Sequence, residues 1–205
     1  MAFLTDSDKQ RIASAIAAAE QKTRGELVAV IAGSSDAYRY IPFLWAALLA
    51  LLVPGILSVL GNPLSGNMAY LVQICAFLGA AALFNWTPLK MRLIPTAVKQ
   101  LRAHRFAQQQ FFLQNLHMTC EHTGVLLFVS VAEHYVEIIA DKGINDVVAD
   151  DAWQEIVAEF IKQVRSRQVA DGFLAAIAAC GELLASHFPA TDENRNELPN
   201  HLVEL

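Results

Sequence analysis

Residues 40–89 read YIPFLWAALLALLVPGILSVLGNPLSGNMAYLVQICAFLGAAALFNWTPL, fifty consecutive positions without an Asp, Glu, Lys or Arg. A helix of a soluble domain keeps a polar stripe toward water, and this run has none. Inside it, residues 41–60 and 68–87 form two blocks of twenty. At about 1.5 Å of rise per residue, each block matches a hydrocarbon core of about 30 Å. Between them Gly61-Asn62-Pro63-Leu64-Ser65-Gly66-Asn67 is a run of turn formers, so the stretch reads as a transmembrane helical hairpin. Pro54-Gly55 is expected to bend the first span, and Ala46, Ala50 and Gly79 allow close helix contact. Tyr40, Trp45, Tyr70 and Trp86 stand near the span ends, where amphipathic rings favour the interface. Gln73 and Asn85 are the only amides within the spans, which argues against a transporter or channel.

The 61–67 connection is uncharged, whereas Arg39, Lys90, Arg92, Lys99, Arg102 and Arg105 flank the hairpin. The positive-inside rule then places both termini in the cytoplasm of a multi-pass protein of the bacterial inner membrane. The first six residues lack a basic region followed by an apolar stretch, so no cleavable signal peptide is expected. The five basic residues Lys90, Arg92, Lys99, Arg102 and Arg105 form a collar suited to anionic lipid headgroups, which makes membrane lipids the expected partner of both the 41–87 hairpin and this collar.

The chain has 205 residues, 55% hydrophobic and 17% charged, with a net charge of -5. Such apolarity excludes a disordered protein and leaves room for one medium domain beside the membrane segments. The acidic balance excludes nucleic acid as a general partner. Residues 106–205 carry fifteen acidic against five basic groups. Cysteines at 75, 120 and 180 show no paired spacing and fit a reducing compartment.

The remaining segments predict an α/β domain. Thr5 and Asp8 form a capping-box pattern ahead of a helix carrying Ile12, Ile16 and Ala19, which Gly25 ends. ELVAVIA at 26–32 and VLLFVSV at 125–131 read as buried strands, with a further strand over 134–140 completing a hairpin. Residues 97–118 read as a helix. Trp153, Ile156, Val157, Phe160, Ile161 and Val164 fall on one face of another, and Phe173, Leu174 and Ile177 open the last. The 26–32 strand is too short to fold alone, so it is expected to join the sheet containing 125–131. The domain plan is therefore 1–32 as a first part, spans at 41–60 and 68–87, the collar and remainder over 90–189, and a flexible tail at 190–205.

Two clusters could carry chemistry. Asp141, Asp146, Asp150 and Asp151 lie between a strand and a helix, and oxygen ligands on a loop suit Ca²⁺ or Mg²⁺. The same pattern also fits Asp150 or Asp151 as a helix cap. His117, Cys120 and His122 offer borderline ligands, but a zinc site would need His104 or His134 as a fourth. No nucleophile elbow, P-loop or dinucleotide fingerprint occurs.

Several motifs in order resemble the TPM domain family, which includes thylakoid-lumen and photosystem II repair proteins. Leu4-Thr5-Asp6 and Thr23-Arg24-Gly25-Glu26-Leu27-Val28 look like its opening. Thr123-Gly124-Val125-Leu126-Leu127 and Tyr135-Val136-Glu137-Ile138-Ile139 look like its strand hairpin, and Ala170-Asp171-Gly172-Phe173 is similar to the start of its final helix. The resemblance implies a TPM-like sandwich of a small mixed sheet and helices, here interrupted by a membrane hairpin as in a bacterial membrane subgroup. It also implies a metal, where one is held, near the turn after the hairpin, and a phosphatase activity attributed to some members. The chain departs from the pattern at Thr123, where an acidic residue is usual, and at Asp141-Lys142-Gly143, which replaces a Gly-x-Gly turn. The expected function is a membrane-anchored, non-catalytic binding, assembly or repair-type module. It would meet a protein partner through 141–151 and the Gln/Phe-rich 106–116 segment. The alternative is a divalent-metal-dependent phosphohydrolase.

Overall fold

A computed structural model describes residues 4–61, 65–166, 168–191 and 196–205, the side chains of residues 87, 88 and 150 excepted. In chain order the elements are α1 (Asp6–Glu20), β1 (Glu26–Ala32), α2 (Tyr40–Val59), α3 (Gly66–Phe84), α4 (Thr87–Leu93) and α5 (Thr96–Leu113). A 3-10 turn at Leu116–Met118, β2 (Gly124–Ser130), β3 (Tyr135–Ala140), α6 (Lys142–Asn145), α7 (Asp150–Arg165), α8 (Val169–His187) and β4 (Leu202–Glu204) follow. They divide into two compact units, one of Met1–Ser35 with Gln100–Leu205 and one of Asp36–Lys99.

The first unit is built on a mixed sheet of order β3-β2-β1-β4. β1 pairs with β2 in parallel over seven residues, from Glu26 opposite Gly124 to Ala32 opposite Ser130. β3 runs antiparallel to β2. Every residue of β1 and β2 is buried, which is why both read as continuous apolar runs rather than alternating ones. Leu27, Ala29, Ile31, Val125 and Leu127 pack on Ile12 and Ile16 of α1, Phe160 of α7 and Phe173 and Ile177 of α8. The alternate residues Val28, Val30, Leu126 and Phe128 pack on Ala107 and Phe111 of α5 and on Leu116. Helices therefore cover both faces of the sheet.

Local chemistry sets the element ends. Thr5 Oγ1 accepts from the Asp8 N–H at 3.1 Å and Asp8 Oδ2 accepts from the Thr5 N–H at 3.3 Å, the reciprocal bonds of a capping box. The helix expected over 97–118 is broken at Asn115, whose φ of 59° lies in the left-handed region that Asn tolerates. α7 does not take its cap from Asp150 or Asp151: the N-cap is Ala149, and the two aspartates are its first helical residues. Negative charge still favours that end of the helix.

The largest departure concerns residues 190–205. Leu202–Glu204 form β4, a parallel edge strand against Ala29, Val30 and Ile31. Glu26 anchors the approach to it, its Oε1 and Oε2 accepting from the N–H groups of Glu197 and Leu198 at 3.0 and 3.2 Å. Lys9 Nζ meets Glu204 at 2.6 Å. Composition suggested a solvated tail. A three-residue strand whose anchor lies far away in sequence leaves no local signal.

In the second unit α2 and α3 pack through Ala46, Ala80 and Ala81, with Phe77 and Phe84 against them. Small side chains let the two helices approach closely. α2 continues through Pro54, and the expected second span ends at Phe84, before the separate α4. Residues 62–64 of the expected connection lie outside the described residues. Tyr38, Ile41 and Ile94 form a small core, and Lys90 Nζ donates to the Ala37 carbonyl. Among the described residues three helices are long and apolar enough to cross a membrane by length and composition: α2, α3 and α8. Unlike the first two, α8 buries Phe173, Ile177, Cys180 and Leu184 in the core of the first unit.

Glu20 carries a testable consequence of this packing. Burial, with the neighbouring Glu26 carboxylate adding to it, pushes its carboxyl up from 4.5 to about 8, while its Oε1 accepts from the Leu27 N–H at 2.9 Å. The fold favours the protonated form. Stability is thus fullest below pH 4.5 and falls as pH rises through about 8, with a slope of up to about 1.4 kcal/mol per unit. Urea unfolding of the detergent-solubilised chain between pH 5 and 9 should show a shallower slope for Glu20→Gln, and an unchanged slope would contradict the assignment. Val30 is fully buried on the central strand. Val30→Asp should cost more than about 3 kcal/mol in the same assay.

Candidate functional site

The turn that leaves the sheet gathers the sequence candidates. β3 ends at Ala140, and Asp141 caps α6, its Oδ1 accepting from the Lys142 N–H at 2.8 Å. Its other oxygen, Oδ2, lies 3.1 Å from His122 Nδ1. Gly143 fits only as glycine, because a Cβ there would lie 2.5 Å from the Glu121 carbonyl oxygen and 2.7 Å from that of His122. The Lys-Gly turn is thereby pressed onto the 121–122 backbone.

The four aspartates occupy different roles around this turn. Asp146 is exposed at the C-terminal end of α6, and Asp151 is exposed on the first turn of α7. Asp150 starts α7 with its side chain outside the described residues. Among the described residues no three His, Cys, Asp or Glu side chains are placed to hold one metal ion. The carboxylate nearest the turn is already engaged by a backbone donor and an imidazole, so the described donors do not fit a preformed Ca²⁺ or Mg²⁺ cage.

Among the described residues His117, Cys120 and His122 are not brought together as one ligand set. The His117 ring lies 5.1 Å from that of Phe112 at a tilt of 59°, the Cys120 backbone N–H donates to Glu197 Oε2 at 3.1 Å, and the His122 imidazole meets Asp141. In the 106–116 segment Gln110 and Phe111 are buried against the sheet, while Phe112 and Leu113 are exposed. That segment therefore presents only part of the surface expected of it.

A second constellation was invisible to spacing. His104 on α5 places Nδ1 2.7 Å from Glu137 Oε1, and Tyr135 donates its hydroxyl to Glu137 Oε2 at 3.1 Å. Burial and the Glu137 carboxylate raise the Tyr135 phenol well above its ordinary range, keeping it a proton donor. This trio borders a cleft of about 250 Å³ shared with Gln108, Asn145 and Trp153. With Nδ1 turned to Glu137, the arrangement supplies hydrogen-bond donors and acceptors around an apolar strand edge. That composition suits recognition of a polar, extended group.

Residues 91–183 match the TPM domain. The fold is similar to the NMR structure of the BA42 protein from the psychrophilic bacterium Bizionia argentinensis, with a TM-score of 0.64 and 22% identity across 100% of this chain and 97% of that one. No curated protein matches the chain. The likeness to BA42 concerns the fold, and residues 91–183 carry the match to the TPM domain family.

Proposed function

We propose that this chain is a membrane-anchored TPM-domain protein whose α/β unit acts as a non-catalytic binding or assembly module on the cytoplasmic face of a bacterial inner membrane. The observation that carries the reading is the surface of the α2–α3 hairpin. It bears no charge, and Leu44, Leu51, Leu52, Leu71, Ile74 and Leu78 are each more than half exposed. An apolar surface of that extent calls for lipid or a protein partner. Lys90, Arg92, Lys99, Arg102 and Arg105 follow the hairpin in sequence. Near anionic headgroups each would contribute about 1 kcal/mol. Their position and the uncharged inner connection favour cytoplasmic termini.

The non-catalytic part of the reading is supported by the acidic turn. A divalent-metal phosphohydrolase would need Asp141, Asp146, Asp150 and Asp151 to hold the ion and another group to orient water. Asp141 instead caps α6 and meets His122.

Three measurements test the proposal. The chain should remain in the membrane pellet after alkaline carbonate extraction. In a variant whose native cysteines are replaced by Ala, Ser65→Cys should be labelled from the periplasm and Leu205→Cys should not; the opposite pattern would reverse the orientation. The purified chain with millimolar Mg²⁺ or Ca²⁺ should release no phosphate from p-nitrophenyl phosphate, and saturable turnover abolished by Asp146→Asn would contradict the module.

A further inference from the structure

The chain treats the two edges of its sheet differently. β4 covers the outer edge of β1, whereas among the described residues no strand lies beyond β3. The register of β3 on β2, together with the Asp141 N–H donating to the Gly124 carbonyl at 2.9 Å, fixes the direction of its backbone groups. Residues 135, 137 and 139 exchange hydrogen bonds with β2, and residues 136, 138 and 140 turn N–H and C=O outward. The Ala140 carbonyl is taken by Asn145 Nδ2 at 2.8 Å. Among the described residues the outward groups of Ile138 and the Ala140 N–H meet no backbone partner. Unpaired strand edges recruit other strands unless charge, proline or a covering element blocks them.

Here the edge is flanked rather than blocked. The cleft runs along residues 137–140, with His104 of α5 on one wall and Trp153 of α7 on the other. Trp153 is 8% exposed, and its Nε1 is buried with no acceptor among the described residues. A buried indole N–H ordinarily has a partner, and this one has none among the described residues. On the other wall Glu137, held by His104 and Tyr135, sets a carboxylate beside the edge.

We propose that the open edge of β3, between α5 and α7, docks an extended, cation-bearing peptide segment of a partner protein as an added strand. The proposal rests on the binding-module reading and names its surface. Carbonyls of the added strand accept from the Ile138 and Ala140 N–H groups and from Trp153 Nε1, and one of its N–H groups donates to the Ile138 carbonyl. Strand periodicity directs alternate side chains to the α5 face, where a Lys or Arg meets Glu137.

The test uses the full chain in phosphatidylcholine nanodiscs and the fluorescein-labelled probe acetyl-Val-Lys-Val-Lys-Val-Lys-amide, read by anisotropy. Binding should saturate. The same peptide N-methylated at alternate residues keeps its charge, loses strand donors, and should bind at least about tenfold more weakly. Ile138→Pro removes an outward N–H while sparing the β2 ladder and should have a comparable effect. Glu137→Gln and Trp153→Phe should each weaken binding about threefold or more. Equal binding of the two peptides overturns the proposal with an unaltered protein, whatever the fold of the variants. Absence of saturable binding overturns it as well, as does self-association of the chain that Ile138→Pro abolishes, which would assign the edge to a second copy. Failure of the probe on a chain that stays membrane-bound and releases no phosphate leaves the module reading standing, whereas metal-dependent phosphate release removes that reading itself.

Discussion

The seven-residue parallel ladder between β1 and β2 joins two stretches of chain about a hundred residues apart, Glu26 facing Gly124 and Ala32 facing Ser130. Between them in sequence lies the whole second unit, Asp36–Lys99. Loop closure grows only slowly with length, so an insertion of that size adds little entropic cost once its own ends are fixed. The gain is large by comparison. Both strands are buried throughout, and each face of the ladder nucleates one of the two apolar clusters of the first unit. Remove β1 and α1, α5, α7 and α8 lose the surface they share.

Because β1 is interior, it needs a neighbour on its other side, and the C-terminal segment supplies one. β4 pairs with Ala29, Val30 and Ile31, and the Leu205 N–H extends the ladder by donating to the Ile31 carbonyl at 2.9 Å. Glu26 holds the approach while sitting beside Glu20, two carboxyls that burial pushes toward their neutral forms. Carboxyl groups at such positions tie fold stability to protonation. The opposite edge, at β3, is left to the cleft bordered by His104 and Trp153.

What the sequence made legible was whatever has a local period. The uncharged run at 40–89, the buried strands at 26–32 and 125–131 and the Thr5–Asp8 capping box are each set by neighbours within a few residues, and each has its counterpart in the structure. Motif order was enough to identify the TPM domain. What escaped depends on distant partners. β4 is three residues of ordinary composition, and its approach is held at Glu197 by a glutamate 171 residues earlier. The His104–Glu137 pair joins a helix and a strand 33 positions apart. The aspartates before α7 suggested a cap, but Ala149 occupies that position and the carboxylates fall inside the helix. Spacing also grouped His117, Cys120 and His122, whereas the His117 ring packs near Phe112 and the His122 imidazole meets Asp141.

The fold of the first unit depends on β1 being an integral strand of a sheet whose two central strands are separated in sequence by the inserted unit. Native-state hydrogen exchange on the full chain, resolved by mass spectrometry at the level of individual strands, addresses this directly. Amides of Glu26–Ala32 should be protected to the same free energy as those of Gly124–Ser130 and should exchange in the same cooperative opening. Rapid exchange of Glu26–Ala32 while Gly124–Ser130 stays protected would show that the domain folds without β1, and would contradict the account.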